Sequence, residues 1–254
     1  MFLQSYVLPV CVYRVAENGS ASVIRLHGTS FLIDDSGTFL SAAHVLNSAK
    51  RDARENGLLC GVVCKGDGGR SIKSDVARIL SFEVAPNGRD VAIGRTKYCG
   101  PTQFVFGKDE IDVWQDVATY GYPIEAISGD VGALNLNLRA HKGYVQRLVR
   151  RGDIALSLSS VGFELSFLLA RGLSGAPLFV HSNPLDLLVG VCVSSIRSEI
   201  VEDQIVEVLE DGREYRETRS SITEYGFAES LSTIADWKPD GFDGRSLACI
   251  ATQM

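Results

Sequence analysis

Three side chains that lie far apart in this sequence have the types needed for nucleophilic chemistry: a serine, a histidine and an aspartate. Ser174 lies between glycines in Gly172-Leu173-Ser174-Gly175. A serine hydroxyl is a poor nucleophile until a base removes its proton and donors stabilise the resulting oxyanion. Flanking glycines let the backbone turn sharply, so that N–H groups can converge beside the hydroxyl. By itself, however, this short segment favours an ordinary turn before an apolar strand.

His44 and Asp90 occupy positions that suit the two partners of such a serine. His44 follows the small residues Ala42 and Ala43 at the end of a predicted strand, and Asp90 precedes the apolar run 91–93. Taken singly, the histidine fits a packing role and the aspartate fits a strand-edge cap. Together the three residues supply a base, an orienting carboxylate and a nucleophile, in the order His, Asp, Ser. The combination predicts a catalytic triad.

The elements that must position these residues are mainly strands. Short apolar runs alternate with Gly, Asn and Asp turns over the first hundred residues, and few helical patterns occur, apart from a short turn that begins at Ala42-Ala43-His44. The predicted strands are 6–15, 22–26, 31–33, 38–41, 58–64, 74–82 and 91–93, with a glycine-rich turn at 66–69. This spacing is typical of an all-β sandwich or barrel.

The second half of the chain continues in the same way and ends in a predicted tail. Asp211-Gly212 is a strong hairpin signal between the charged runs 205–210 and 213–217. We expect this hairpin to be solvated, although it could also gate a cleft or dock a partner. Residues 222–227 are a predicted closing strand, 229–237 a short helix, and 238–254 a loosely ordered extension.

Composition excludes several functional classes. The 254 residues are 45% hydrophobic and 22% charged, which is typical of a globular protein with a full core. A net charge of −6 with scattered Lys and Arg argues against a nucleic-acid partner. No apolar run reaches the length of a membrane span. The first residues lack the pattern of a signal peptide, so we expect a cytoplasmic protein.

Cysteine usage agrees with that compartment. The six cysteines are expected to be free thiols, several of them buried in apolar strands. Cys60 and Cys64 are four residues apart, but no second Cys or His pair follows at zinc-site spacing. We therefore expect neither a metal nor another cofactor.

Several motifs of the chain are similar to those of a known family. They are Gly28-Thr29-Ser30-Phe31-Leu32-Ile33, Ser41-Ala42-Ala43-His44, Asp90-Val91-Ala92-Ile93, Gly121-Tyr122-Pro123, Gly172-Leu173-Ser174-Gly175-Ala176-Pro177 and Gly190-Val191-Cys192-Val193. In these motifs the chain resembles the trypsin-like, chymotrypsin-fold serine peptidases, and most nearly the bacterial ones that share the protease core of the HtrA proteins. The resemblance covers roughly residues 5–235.

This resemblance implies an all-β fold of two six-stranded antiparallel β-barrels with a short C-terminal helix. The first barrel would comprise residues 1–112 and carry His44 and Asp90. The second would comprise 113–237 and carry Ser174, with 238–254 as an extension. The backbone N–H groups of Gly172 and Ser174 would form the oxyanion hole.

The resemblance also indicates where a substrate would bind. The floor of the primary specificity pocket falls on Leu168, and the lack of a carboxylate there favours an apolar or small substrate side chain. The segment Val193, Ser194 and Ser195 would run alongside the substrate as an antiparallel strand.

Three departures from the family pattern bear on regulation. Leu173 replaces the aspartate that pairs with a newly cleaved N-terminus in secreted enzymes, Val45 replaces a cysteine after the histidine, and Ala176 replaces a second glycine. All three fit an intracellular enzyme that needs no processing. They leave open a regulatory protein partner that orders the loops of the active site.

The predicted function is therefore a serine endopeptidase that acts on protein or peptide substrates. The alternative is a catalytically silent trypsin-like domain that binds proteins. That domain would be marked by loss of a triad residue or of Gly172, and neither is lost. An α/β-hydrolase is discarded because that class has its histidine well after the serine, whereas only His181 follows Ser174 here.

Overall fold

A computed structural model describes most of the chain. It covers residues 3–65, 74–107, 111–124, 127–128, 135–153, 160–182, 184–208 and 214–252. The predicted turn at 66–69 and the predicted hairpin turn at Asp211-Gly212 lie outside these residues. The predicted all-β fold of chymotrypsin type is confirmed.

The first sheet is a closed antiparallel barrel that contains the N-terminal strands. In spatial order it reads β1-β2-β3-β6-β5-β4. The strands are β1 (Val7–Val15), β2 (Ala21–Leu32), β3 (Thr38–Ser41), β4 (Leu59–Lys65), β5 (Ser74–Val84) and β6 (Ala92–Thr96). The prediction of separate strands at 22–26 and 31–33 is wrong, because both belong to β2. Two register shifts against β1, at Ile24 and His27, let one strand bend around the barrel instead of ending.

The second sheet contains the strands from the C-terminal half. They are β7 (Phe104–Phe106), β8 (Asp116–Gly121), β11 (Arg139–Val149), β12 (Gly162–Leu165), β13 (Pro177–Val180), β14 (Asp186–Val208) and β15 (Glu214–Ser230), while β9 (Ile127–Ser128) and β10 (Asn135–Leu136) form a separate pair. Because β13 pairs with both β8 and β14, six of these strands form a closed ring. In spatial order the ring reads β13-β8-β11-β12-β15-β14. The seventh, β7, pairs in parallel with the start of β14.

Helix α1 (Ala43–Asn56) follows β3 and is longer than the single turn that the sequence predicted. Its buried residues Val45, Leu46, Ala49 and Ala53 follow a helical spacing and pack against the first barrel. Gly57 ends the helix in the left-handed region, with φ 63°. None of the helices in the described part of the chain has the length and apolar character needed to cross a membrane.

The C-terminal segment is ordered, so the prediction of a loose extension is wrong through residue 252. Residues 229 and 230 lie in β15 rather than in the predicted helix, and only a 3-10 turn, Ser232–Ile234, follows. A short helix, α2 (Leu247–Ile250), comes later. The side chains of Phe242, Leu247 and Ile250 are buried in the same core cluster as the first barrel. Pro239 and Gly241 precede these apolar residues and Gly244 lies among them, a pattern typical of loops, so the sequence did not indicate that they pack together.

Aromatic side chains join the two sheets. Phe104 of β7 makes edge contacts with Tyr6 and Phe31, with ring centroids 5.2 and 5.6 Å apart. Its ring also lies 5.5 Å from that of Phe179 in β13. All four rings are almost completely buried, so the two sheets share one apolar interface.

Candidate active site

A cavity of about 580 Å³ lies between the two sheets, and the three predicted catalytic side chains line it. Its described lining comprises His44, Gly88, Asp90, Ser160, Leu169, Ala170, Arg171, Ser174, Val193, Ser194, Ser195 and Phe227. His44 comes from the first turn of α1, Asp90 from the loop before β6, and Ser174 from the loop before β13. Residues from distant parts of the chain therefore meet in one cleft.

Asp90 holds His44 by two contacts. One carboxylate oxygen, Oδ2, lies 2.6 Å from Nδ1 of the ring, and the other, Oδ1, accepts the backbone N–H of His44 at 2.8 Å. The first N–H groups of a helix have no partner within the helix, so this carboxylate also caps α1. Since Nδ1 donates its proton to Asp90, Nε2 is the ring nitrogen that can accept a proton. The His44 side chain is 48% exposed, which leaves that nitrogen accessible from the cleft.

The hydroxyl of Ser174 donates to the carbonyl oxygen of Val193 at 2.8 Å. Among the described contacts, no hydrogen bond joins this hydroxyl to His44. The structure thus brings Ser174 into the same cavity as the His44–Asp90 pair, but with the hydroxyl directed at β14. Rotation about the Cα–Cβ bond of the serine is needed to direct it elsewhere.

Gly172, two residues before the serine, has a positive φ angle, a backbone conformation that favours glycine. Gly172 has φ +102°, and a Cβ atom there would collide with the carbonyl oxygen of Tyr122. The carbonyl of Arg171 accepts the N–H of Ile124 at 2.9 Å. Because the C=O and N–H groups of a trans peptide point in opposite directions, the N–H of Gly172 points away from Ile124. Within the described residues, neither this N–H nor that of Ser174 donates to a backbone acceptor.

Thr29 of β2 anchors the serine loop from the first barrel. Its hydroxyl donates to the carbonyl of Gly172 at 2.8 Å and accepts the N–H of Tyr122 at 3.2 Å. Its backbone N–H donates to the carbonyl of Ser174 at 2.8 Å. The residue is completely buried. The sequence predicted no role for Thr29, although the two adjacent hydroxyl residues Thr29 and Ser30, next to an apolar run, were the available signal.

Tyr122 fixes the segment against which the serine loop rests. Its hydroxyl donates to the carbonyl of Val7 at 3.0 Å. Burial raises the pKa of Tyr122, so the hydroxyl keeps its proton and remains a donor. The segment that receives the carbonyl of Arg171 is therefore tied to strand β1.

Val193, Ser194 and Ser195 line the cavity, as the prediction of a substrate strand requires. The hydroxyl of Ser195 accepts the N–H of Leu169 and donates to the carbonyl of Leu169, both at 3.1 Å. It therefore joins the two walls of the cleft. Leu168, the predicted floor of the pocket, is not part of the described lining and is 44% exposed. The loop instead directs Leu169 inward, where it is buried.

The described part of the chain contains no group of three or more His, Cys, Asp or Glu side chains arranged to hold a metal ion.

Comparison with known proteins identifies the family. Residues 28–191, which span the cleft residues His44, Asp90 and Ser174, match the family model for a trypsin-like peptidase domain. The chain belongs to this family. The predicted resemblance and the predicted class of enzyme, a serine endopeptidase, are thereby confirmed.

Solved structures of proteases share the fold of this trypsin-like domain. The active form of the Rv3671c protease from M. tuberculosis is 18% identical with a TM-score of 0.55, and the match covers 99% of this chain and 83% of that one. The HtrA-type protease AlgW with a decapeptide is 13% identical with a TM-score of 0.55, and the match covers 91% of this chain and 62% of that one. At these identities the similarity concerns the fold. No match was found among curated protein sequences.

Proposed function

We propose that this trypsin-like domain hydrolyses peptide bonds through a triad of Ser174, His44 and Asp90. The observation that carries the proposal is the 2.6 Å contact between Nδ1 of His44 and Asp90, which leaves Nε2 as the base in the cavity that Ser174 also lines. An imidazole oriented in this way by a carboxylate is the base that a serine nucleophile needs.

The reaction proceeds by acyl transfer. The Ser174 hydroxyl rotates from Val193 toward Nε2 of His44, loses its proton to that nitrogen and attacks the scissile carbonyl. The imidazolium, stabilised by Asp90, then protonates the leaving amine, and water hydrolyses the acyl-enzyme in a second round of the same steps.

The N–H groups of Gly172 and Ser174 stabilise the oxyanion in this proposal. Both lack a backbone acceptor in the described structure, and the loop that presents them is fixed by Thr29 and Ile124. One preorganised donor of this kind lowers the barrier by about 3 kcal/mol.

The substrate is a protein or peptide that lies beside Val193–Ser195 as an added strand. Apart from the proposed catalytic Asp90, the described lining has no carboxylate, and its walls at Leu169, Ala170 and Ser195 are apolar or small. This lining suits an apolar or small side chain before the scissile bond better than a lysine or arginine.

One observation favours the second candidate, a silent protein-binding domain. The Ser174 hydroxyl is bonded to Val193 rather than to His44. If the loops of the cleft prevented its rotation, the domain would bind extended peptides without cutting them. A regulatory partner that moves those loops would restore cleavage.

A reducing compartment, such as the cytoplasm, is supported by the thiols. All six cysteines are free, and burial raises the pKa of Cys11 and Cys192, which keeps these thiols protonated and unreactive.

Labelling with a fluorophosphonate probe tests the proposal. We expect the wild-type protein to be labelled at Ser174, and Ser174→Ala or His44→Ala to abolish labelling. His181→Ala is the matched control, because His181 forms a similar contact with Asp186, 2.7 Å from Nδ1 to Oδ1, outside the cavity. This control should be labelled like the wild type. A wild-type protein that binds peptides but is neither labelled nor able to cut a peptide library would support the silent domain.

A further inference from the structure

Strand β14 has one edge that is open beside the proposed nucleophile. On this edge β13 pairs with residues as far as Val191, and Cys192 then exchanges backbone hydrogen bonds with Gly175 and Ala176. From Val193 onward, no described strand pairs with this edge. The opposite edge stays paired with β15 as far as Val208.

The backbone groups along this open edge can be identified from the pairing. Gly226, which lies opposite Ser195, donates its N–H to the carbonyl of Phe167 at 2.8 Å, away from β14. In an antiparallel pair, residues alternate between those that bond to the partner strand and those that face outward. The backbone N–H and C=O groups of Ser195 therefore point to the open edge. The same holds for the backbone groups of the alternate residues Arg197, Glu199 and Val201.

Beyond the barrel, β14 and β15 continue as a two-stranded ribbon, which we define as residues 196–208 and 214–225. Such a hairpin is marginally stable alone in water. Apolar side chains on the ribbon are nevertheless exposed, including Ile200 at 61%, Val201 at 57% and Ile222 at 50%. Exposed apolar side chains on both faces of so thin a ribbon favour a partner that covers part of it.

The ribbon is also acidic. It carries seven carboxylates and three arginines. Each arginine already lies near a carboxylate of the ribbon: Arg197 near Glu199 at 4.0 Å, Arg216 near Glu214 at 3.7 Å, and Arg219 near Glu202 at 3.6 Å. The remaining charge is negative, so a basic partner complements it.

We propose that the open edge of β14 from Arg197 to Val201 binds the part of the substrate that precedes the scissile bond. This inference rests on the proposed function. The substrate class is a protein with an extended segment of alternating basic and apolar residues before the cleavage site. Val193–Ser195, where the substrate strand begins, continues into this edge as one strand. The nine residues 193–201 span about 30 Å, and a register shift between Val201 and Asp203 ends the regular edge.

One assumed pairing sets the register of this added strand. If the third residue before the scissile bond pairs with Ser195, the fifth, seventh and ninth pair with Arg197, Glu199 and Val201. Side chains of directly opposed residues lie on the same face of a sheet. A lysine at the seventh position therefore lies beside Glu199, whose 4.0 Å contact with Arg197 is the longest of the three arginine contacts given above and leaves the carboxylate able to accept a second cation.

Extended peptides test the proposal. The core is the tetrapeptide that the protein cleaves best in a peptide library, and its last residue directly precedes the scissile bond. This core is extended at its N-terminus by Val-Lys-Val-Lys-Val-Thr, which places lysines at the seventh and ninth positions before the scissile bond. Two further peptides carry glutamates at these positions or the same lysines with N-methylated backbones. We expect kcat/KM for the lysine peptide to exceed that of the core by about tenfold, and both other extensions to lose this gain. Glu199→Arg should abolish the gain, whereas Glu55→Arg, an exposed change on α1, should preserve it.

The outcomes separate this inference from the proposed function. If Ser174 is not labelled and no peptide is cut, the proposed function fails and this inference with it. If the core is cut but the lysine extension brings no gain, or if the N-methylated extension brings the same gain, only this inference fails. Sedimentation tests whether a second copy of the chain occupies the ribbon instead. If the wild type is a dimer, if Ile200→Glu is a monomer, and if the lysine extension brings no gain, then a second copy is the occupant and the proposal is overturned.

Discussion

The guanidinium of Arg89 donates from Nε to Oε2 of Glu229 at 2.6 Å, although 140 residues separate the two in sequence. Both side chains are buried, at 6% and 1% exposure. Arg89 directly precedes Asp90, and Glu229 lies near the end of β15, so this ion pair attaches the loop of Asp90 to the second sheet. Burial raises the pKa of Glu229, because desolvation of its carboxylate outweighs the attraction of Arg89.

Removing Arg89 should therefore destabilise the protein. In Arg89→Met, Glu229 is left as a buried carboxylate without its counter-charge, and we expect a loss of about 3–5 kcal/mol in the free energy of unfolding. Arg89→Met combined with Glu229→Leu should recover part of this loss, since no buried charge remains. Chemical denaturation measures both variants, and Arg54→Met, at an exposed position of α1, is the control. If Arg89→Met were as stable as Arg54→Met, the ion pair between Arg89 and Glu229 would not stabilise the fold.

Thr29 is expected to act as a positioning residue for the oxyanion donors. Thr29→Val keeps the side-chain shape but removes the hydroxyl between Gly172 and Tyr122. We expect kcat to fall about tenfold or more with little change in KM, because a displaced donor affects the transition state more than the bound substrate. Thr29→Ser should restore kcat. Thr96→Val, which removes another buried hydroxyl bonded to a carbonyl, should leave kcat unchanged.

Gly172 should tolerate no side chain without loss of activity. In Gly172→Ala the new Cβ collides with the carbonyl of Tyr122, so the N–H of this residue moves. We expect kcat to fall by about 10²–10³. Gly152→Ala is the matched control, because Gly152 has a similar φ of +88° but open space around it. Equal activity in the two variants would show that the Gly172 N–H does not take part in the reaction.

Two histidines should make the fold sensitive to acid. Burial lowers the pKa of His27 and, with help from Arg139, that of His141. Between the lowered pKa and the ordinary value of about 6.5, the unfolded chain binds more protons than the folded one, so stability falls as the pH drops below about 6.5. We expect the urea midpoint to fall more steeply between about pH 7.5 and about pH 5.5 in the wild type than in His27→Gln/His141→Gln. Identical pH profiles would rule out this contribution.

The C-terminal segment should contribute to global stability. Leu247 is completely buried in the core cluster that includes the first barrel. We expect Leu247→Ala to cost about 2–5 kcal/mol in the free energy of unfolding. Leu80→Ala, at a side chain that is 54% exposed, should cost little and serves as the control. Thermal or urea unfolding monitored by tryptophan fluorescence gives the comparison, and a negligible loss for Leu247→Ala would show that the segment is docked only weakly.

The sequence was most informative where residue types that act together in one reaction each occur in a recognisable local motif. The motifs around His44, Asp90 and Ser174 pointed to three side chains that line one cavity, and strand β3 was predicted with its observed bounds. These features depend on local patterns, which a single sequence contains.

Features that depend on distant contacts were missed. The length of helix α1 was missed although its apolar residues have helical spacing; its cap could not be predicted, because it is the carboxylate of Asp90, 46 residues away. Leu169, and not Leu168, lines the pocket, and this depends on the hydrogen bond from the N–H of Leu169 to the hydroxyl of Ser195. The role of Thr29 depends on Gly172, and no periodicity in the sequence connects them.

The burial of Phe242, Leu247 and Ile250 with the first barrel has a consequence for biosynthesis. Strand β6 ends at Thr96, yet the residues that complete the surrounding apolar cluster follow all the strands of the second sheet. A ribosome must therefore translate both halves before the N-terminal half can reach its final packing. The competent cleft is then acquired late, after the nascent polypeptide has emerged well beyond β15.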